Sequence, residues 1–143
     1  MNFPHHYRIA ASCSVDGPVQ LIGDGLPEIT SMPPVAFGGP GGKWSPEDLI
    51  VAAVADCFVL SFRAIAQASK FGFKQLTCNV TGTLDKVEKS MQFTEFKIEA
   101  HLSVDAGVDH ERAKRLLEKA EQMCLITNSL KSQVHLEASV QSD

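Results

Sequence analysis

No C-x-x-C pair occurs among the four cysteines, Cys13, Cys57, Cys78 and Cys124, which stand 44, 21 and 46 positions apart. That spacing argues against a structural zinc site and against the dense disulfide framework of small secreted domains. Concentrated positive charge is missing too. The 13 basic residues are scattered, the formal charge is −4 and the pI is near 5.7, so neither nucleic acid nor an anionic membrane surface is an expected partner. The glycine-rich stretch Gly38-Gly39-Pro40-Gly41-Gly42-Lys43 is not a phosphate loop. Phe37 stands where the first glycine belongs and Trp44 where the serine or threonine belongs, so the stretch reads as a mobile flap beside the Cys57 thiol. Internal repeats and low-complexity tracts are absent. The five histidines are dispersed, and neither a Ser-His-Asp set nor a paired-carboxylate site can be assembled, so no metal or cofactor is expected.

What remains is an ordinary globular composition, 44% hydrophobic and 21% charged over 143 residues, enough for one domain spanning residues 1–143. The first residues, Met1-Asn2-Phe3-Pro4-His5-His6-Tyr7-Arg8, carry no apolar run of the signal-peptide kind, and a cytoplasmic location is expected. From Leu49 to Ala66 the chain approaches membrane-spanning length. Asp56, Ser61 and Arg63 interrupt that run, and it reads as a buried central helix, not a membrane span.

The start of this helix is strongly encoded. Ser45-Pro46-Glu47-Asp48 offers a capping hydroxyl, a proline whose missing N–H costs nothing there, and two carboxylates in the positive first turn. Phe71-Gly72-Phe73 marks its end, with Gly72 suited to a left-handed cap. Alternation from Tyr7 to Val15, Val19 to Ile22, Leu76 to Leu84, Phe96 to Val104 and Val134 to Val140 predicts strands, with a short one near Glu28 to Thr30. On this alternation Cys13 and Cys78 fall on inward faces as core thiols. Asp109 caps a second helix bearing Ala113, Leu116, Leu117, Ala120 and Met123, and Leu125 to Leu130 forms a further turn. The order is α+β, with mainly antiparallel strands around a helix apolar on most of its circumference. One small sheet covers only one side of such a helix, and a second copy of the chain is expected to cover the rest.

With these elements placed, the chain resembles the OsmC/Ohr family, the osmotically inducible protein C and organic hydroperoxide resistance proteins. The resemblance rests on Ser45-Pro46-Glu47-Asp48-Leu49-Ile50-Val51-Ala52-Ala53-Val54-Ala55-Asp56-Cys57-Phe58, similar to the family's "PEELLAAAHAACF", and on Cys124-Leu125-Ile126-Thr127-Asn128-Ser129-Leu130, similar to "CPVSNSL". It implies an OsmC-like fold in which antiparallel sheets wrap a long buried central helix, and an intertwined homodimer with active sites at the subunit interface. It further implies a thiol-dependent peroxidase acting on organic hydroperoxides in oxidative stress defence, reset by a dithiol or thioredoxin-type reductant. By motif, Cys57 takes the role of attacking thiol and Cys124 that of resolving thiol through a Cys57–Cys124 disulfide, while Glu47 is the glutamate that pairs with an arginine in many members.

The chemistry asks for a thiolate at Cys57, and an unperturbed thiol is only a few per cent ionised at neutral pH. About ten residues into its helix, Cys57 is beyond the reach of the dipole's positive end. The better-known branches resembled here supply an arginine ahead of the helix; between Ala10 and Trp44 this chain has none, and one lysine, Lys43. Arg8, Lys43, Arg63, Arg112 and Arg115 are the candidates. Arg63 follows Cys57 by six residues, roughly 240° around the helix and about 9 Å along it, too far within one chain but able to serve a second subunit if the central helices cross. Arg63 also has a structural reading, as partner of a buried Asp56. Phe37, Trp44, Phe58 and Phe62 are candidates for an apolar wall suited to alkyl hydroperoxides. Two rival readings stand beside the peroxidase: a non-catalytic OsmC-like dimer holding an apolar ligand at the interface, and a structural dimer without ligand.

Overall fold

In a computed structural model of the chain, which describes all residues from Met1 to Asp143, the contacts divide the chain into two compact units, Met1–Ile50 and Val51–Asp143. The first unit holds three short antiparallel strands in the order β1 (Ala10–Ser12), β2 (Val19–Ile22) and β3 (Ile29–Ser31). Gly17, at φ +90°, takes the left-handed conformation the turn between β1 and β2 demands. The strand predicted over Tyr7 to Val15 shrinks to three residues, all exposed, and Cys13 is exposed with them. Alternation predicted an inward face for this cysteine, but β1 buries neither of its faces. The glycine-rich loop is tied by Phe37 N–H and Gly39 N–H donating to the Pro34 carbonyl, at 2.9 and 3.0 Å. A Cβ on Gly39 would lie 1.7 Å from the Pro33 carbonyl oxygen, so only glycine fits.

The first turn of α1 (Pro46–Ala68) closes this unit, and its cap is as the sequence predicts. Ser45 Oγ accepts from the Asp48 N–H at 3.1 Å, while Asp48 Oδ2 accepts from both the Ser45 N–H and the Ser45 hydroxyl, a reciprocal box that satisfies otherwise orphaned donors.

The second unit carries the core. Strands β4 (Gln75–Val87), β5 (Ser90–Val104) and β6 (Gln133–Ser142) form one sheet in that order. β4 and β5 are antiparallel, whereas β5 and β6 run parallel, because α2 (His110–Met123) and α3 (Leu125–Asn128) provide the long crossover that a parallel pair needs. Phe96, Ile98, Ala100, Leu102 and Val104 of β5 are sealed from solvent together with Val54, Phe58 and Phe62 of α1 and Ala113, Leu117 and Ala120 of α2. Each large side chain so buried stabilises the fold by about 1.5–3 kcal/mol. Gly82 of β4 has no room for a side chain: a Cβ there would stand 2.9 Å from Val51 and 3.0 Å from Phe93 and Phe96, so α1 approaches the sheet directly over it.

The far end of α1 departs from expectation. Gly72 does not take the left-handed cap; Lys70 does, at φ +54°. The Phe71 N–H reaches the Ala66 carbonyl at 2.8 Å and the Lys70 N–H the Gln67 carbonyl at 3.2 Å, a Schellman ending that places the apolar Phe71 against Phe62. No basic residue lies in the last turn of α1 itself. The cation comes from α2: Arg112 donates to the Ser69 carbonyl at 2.7 Å with its guanidinium over the Phe71 ring. Asp109 caps α2 as predicted, accepting from the Glu111 N–H at 3.0 Å.

Candidate functional site

Cys57 lies mid-helix on α1 and is half-buried; Cys124 occupies the break between α2 and α3 and is fully buried. The break arises because Cys124 leaves the helical region (φ −66°, ψ 107°), so its carbonyl opens the next turn, accepting from the Asn128 N–H at 3.0 Å. Although 67 positions separate them in sequence, the two thiols are near enough for Cys57 to bear on the ionisation of Cys124, and both are reduced.

The surroundings of Cys124 push its thiol in two directions. Burial raises its pKa most, and the neighbouring Cys57 raises it further; the backbone and hydroxyl of Thr127 act against this, and the net direction is up. Thr127 is itself buried and donates its hydroxyl to the Cys124 carbonyl at 3.1 Å. Around Cys57 the polar contact is neutral: its Sγ stands 3.9 Å from the Ser61 hydroxyl, one helical turn on. Neither Ser61 nor Thr127 was singled out from the sequence. The signal for each was spacing, four residues after one cysteine and three after the other.

The other predicted residues stand as follows. Glu47 Oε1 is shut away from solvent with no hydrogen-bond partner. Arg63 is exposed and so is Asp56, with no ion pair between them, so within one chain Arg63 does not partner a buried Asp56. Of the alternative cations, Arg8, Lys43 and Arg115 are exposed, and Arg112 is engaged at the end of α1. Phe58 and Phe62 are core residues at 0% exposure, whereas Phe37 and Trp44 are open to solvent. Cys78 packs against the core half-buried, and burial pushes its thiol up to about 11. Histidine, cysteine and carboxylate side chains nowhere converge in a group of three suited to a metal ion.

The family model for OsmC-like proteins matches residues 39–139, and the chain belongs to that family. Among relatives, peroxiredoxin OsmC of Escherichia coli is 26% identical over 106 residues, 74% of this chain and 73% of that protein. An organic hydroperoxide resistance protein OsmC from Legionella pneumophila superimposes with a TM-score of 0.77 at 26% identity, covering 98% of this chain and 99% of that one. An OsmC-like protein of unknown function from Vibrio cholerae shares the fold at a TM-score of 0.85, with 18% identity, 95% of this chain and 100% of that one covered.

Proposed function

We propose that this protein is a thiol-dependent peroxidase that reduces organic hydroperoxides, with Cys57 as the attacking and Cys124 as the resolving thiol. The observation that carries the reading is the approach of these two sulfurs across 67 residues of sequence, one reachable from solvent and the other sealed. The Cys57 thiolate attacks the terminal oxygen of ROOH; the O–O bond breaks, the alkoxide takes a proton and leaves as ROH, and Cys57 is oxidised to sulfenic acid. Cys124 then attacks the Cys57 sulfur. Its own proton and the departing hydroxyl leave as water, and the Cys57–Cys124 disulfide is reset to two thiols by a dithiol or thioredoxin-type reductant, which is itself oxidised to a disulfide.

The protein acts as a soluble cytoplasmic homodimer, the whole chain forming one OsmC-like domain. The dimer is favoured by α1: only 28% of the residues in its most apolar 18-residue stretch are buried within one chain, and Leu60 on it is 46% exposed. Glu47, with a carboxylate oxygen buried and unpartnered, fits the glutamate that receives a guanidinium, and Arg63 of a second copy is the candidate to supply it.

Stopped-flow mixing of reduced protein with an alkyl hydroperoxide, with thiols counted before and after, tests the reading; two thiols per chain disappear, and faster than with hydrogen peroxide. If excess hydroperoxide consumes none, the peroxidase fails and the non-catalytic dimer holding an apolar ligand replaces it, a reading that the neutral surroundings of Cys57 favour.

A further inference from the structure

Between Leu49 and Ala66, α1 carries three hydroxyl or charged side chains, Asp56, Ser61 and Arg63, and two of them are exposed. Ser61 alone of the three is half-buried, and serine within a helix is a mild liability that its surroundings must repay. Its hydroxyl faces the Cys57 sulfur at 3.9 Å. Helix geometry accounts for the meeting: Cα–Cβ bonds tilt toward the N-terminus, so the side chain at position i+4 leans back over the one at position i. A hydroxyl has one proton to give, and at this position it chooses between the backbone carbonyl one turn back and the sulfur beside it. A neutral thiol accepts weakly. A thiolate accepts strongly, because a hydrogen bond to an ionised acceptor is shorter and about twice as strong as one between neutral groups.

We propose that Ser61 is a positioning residue for Cys57: its hydroxyl, which stands against the sulfur, donates to the thiolate one turn earlier and holds the charged sulfur in place. The role rests on Cys57 being the reacting thiol.

The test reads the thiolate without any peroxide. In a Cys13→Ser/Cys124→Ala background, alkylation of Cys57 by monobromobimane is followed by mass spectrometry of the Cys57 peptide, at about pH 7 and on the alkaline plateau where thiols are ionised. With Ser61→Ala the ratio of the neutral rate to the plateau rate falls by about threefold to tenfold, and Ser61→Thr, which keeps the hydroxyl, restores it. A ratio unchanged in Ser61→Ala overturns the proposal. So does a ratio lowered equally in the alanine and threonine variants, or an equal loss at both pH values, each of which marks packing or access and not the hydroxyl. Because no hydroperoxide is used, a protein that turns over no peroxide still answers the question. Equally, a negative answer here leaves the peroxidase standing.

Discussion

Cys57 and Cys124 meet, yet they are held by opposite means. Cys57 belongs to the middle of a 23-residue helix, half-buried, with a serine hydroxyl one turn away. Cys124 belongs to a kink, fully buried, its carbonyl fixed by Asn128 N–H and the Thr127 hydroxyl and its thiol raised by burial. The rigid helix gives the first thiol a fixed position from which it can meet a solvent-borne oxidant. Sealing the second keeps such an oxidant away from it, so that its available partner is the first. The division of labour in the proposed mechanism follows from exposure, not from any difference in intrinsic thiol chemistry.

The sharpest way to break this contrast is to remove each sulfur in turn. Cys57→Ser lowers hydroperoxide turnover by about a thousandfold or more, since the nucleophile is gone. Cys124→Ser instead leaves the first oxidation intact: one Cys57 sulfenic acid per chain is trapped by dimedone, no disulfide forms, and multiple turnover falls by about ten- to a hundredfold. Equal first-oxidation rates at the two positions would erase the distinction.

Thr127→Val comes next. It keeps shape but removes the buried hydroxyl that opposes the rise at Cys124, so the thiol moves further up and disulfide formation slows by about threefold to tenfold near neutral pH. The Cys124 carbonyl still receives the Asn128 N–H, so the stability loss stays near about 1 kcal/mol, measured by urea unfolding.

Alkaline titration extends the comparison to all buried sulfur. Burial raises Cys78 to about 11 and raises Cys124 as well, so the folded chain holds protons there that the unfolded chain has already released. Their stabilising contribution is complete below the ordinary thiol range and is lost as pH climbs from there through about 11. The urea midpoint therefore drops over this window, and Cys78→Val, which cannot ionise, flattens part of the drop.

The smallest effect serves as the control. Lys70→Gly relieves the left-handed strain at the end of α1 and stabilises the fold by about 0.5–1 kcal/mol, with Cys57 alkylation unchanged. A change in Cys57 reactivity there would mean that the helix end, not Ser61, governs that thiol.

How much of this was readable beforehand varies along α1 itself. Its start was legible because Ser45, Pro46 and Asp48 cap one another within four residues. Its end was misread: Gly72 carries the commoner cap signal, but the packing of Phe71 and the reach of Arg112 from α2 set the stop two residues earlier, at Lys70. The hairpin ends of β4 and β5, from Asp85 to Gln92, lacked alternation because they extend past the third strand, where most of their side chains meet solvent. The parallel pairing of β6 left no trace in its residues, since alternation reads the same in either direction.

The amino-acid sequence by itself determined the family and the helix starts at Ser45 and Asp109, because caps and short motifs act over a few residues where chain connectivity already enforces proximity. Only the tertiary structure decided which side chains attend each sulfur, which thiol is sealed and which cysteine lies bare at the surface. Burial and through-space contact depend on how distant segments stack, and that stacking is a property of the whole fold.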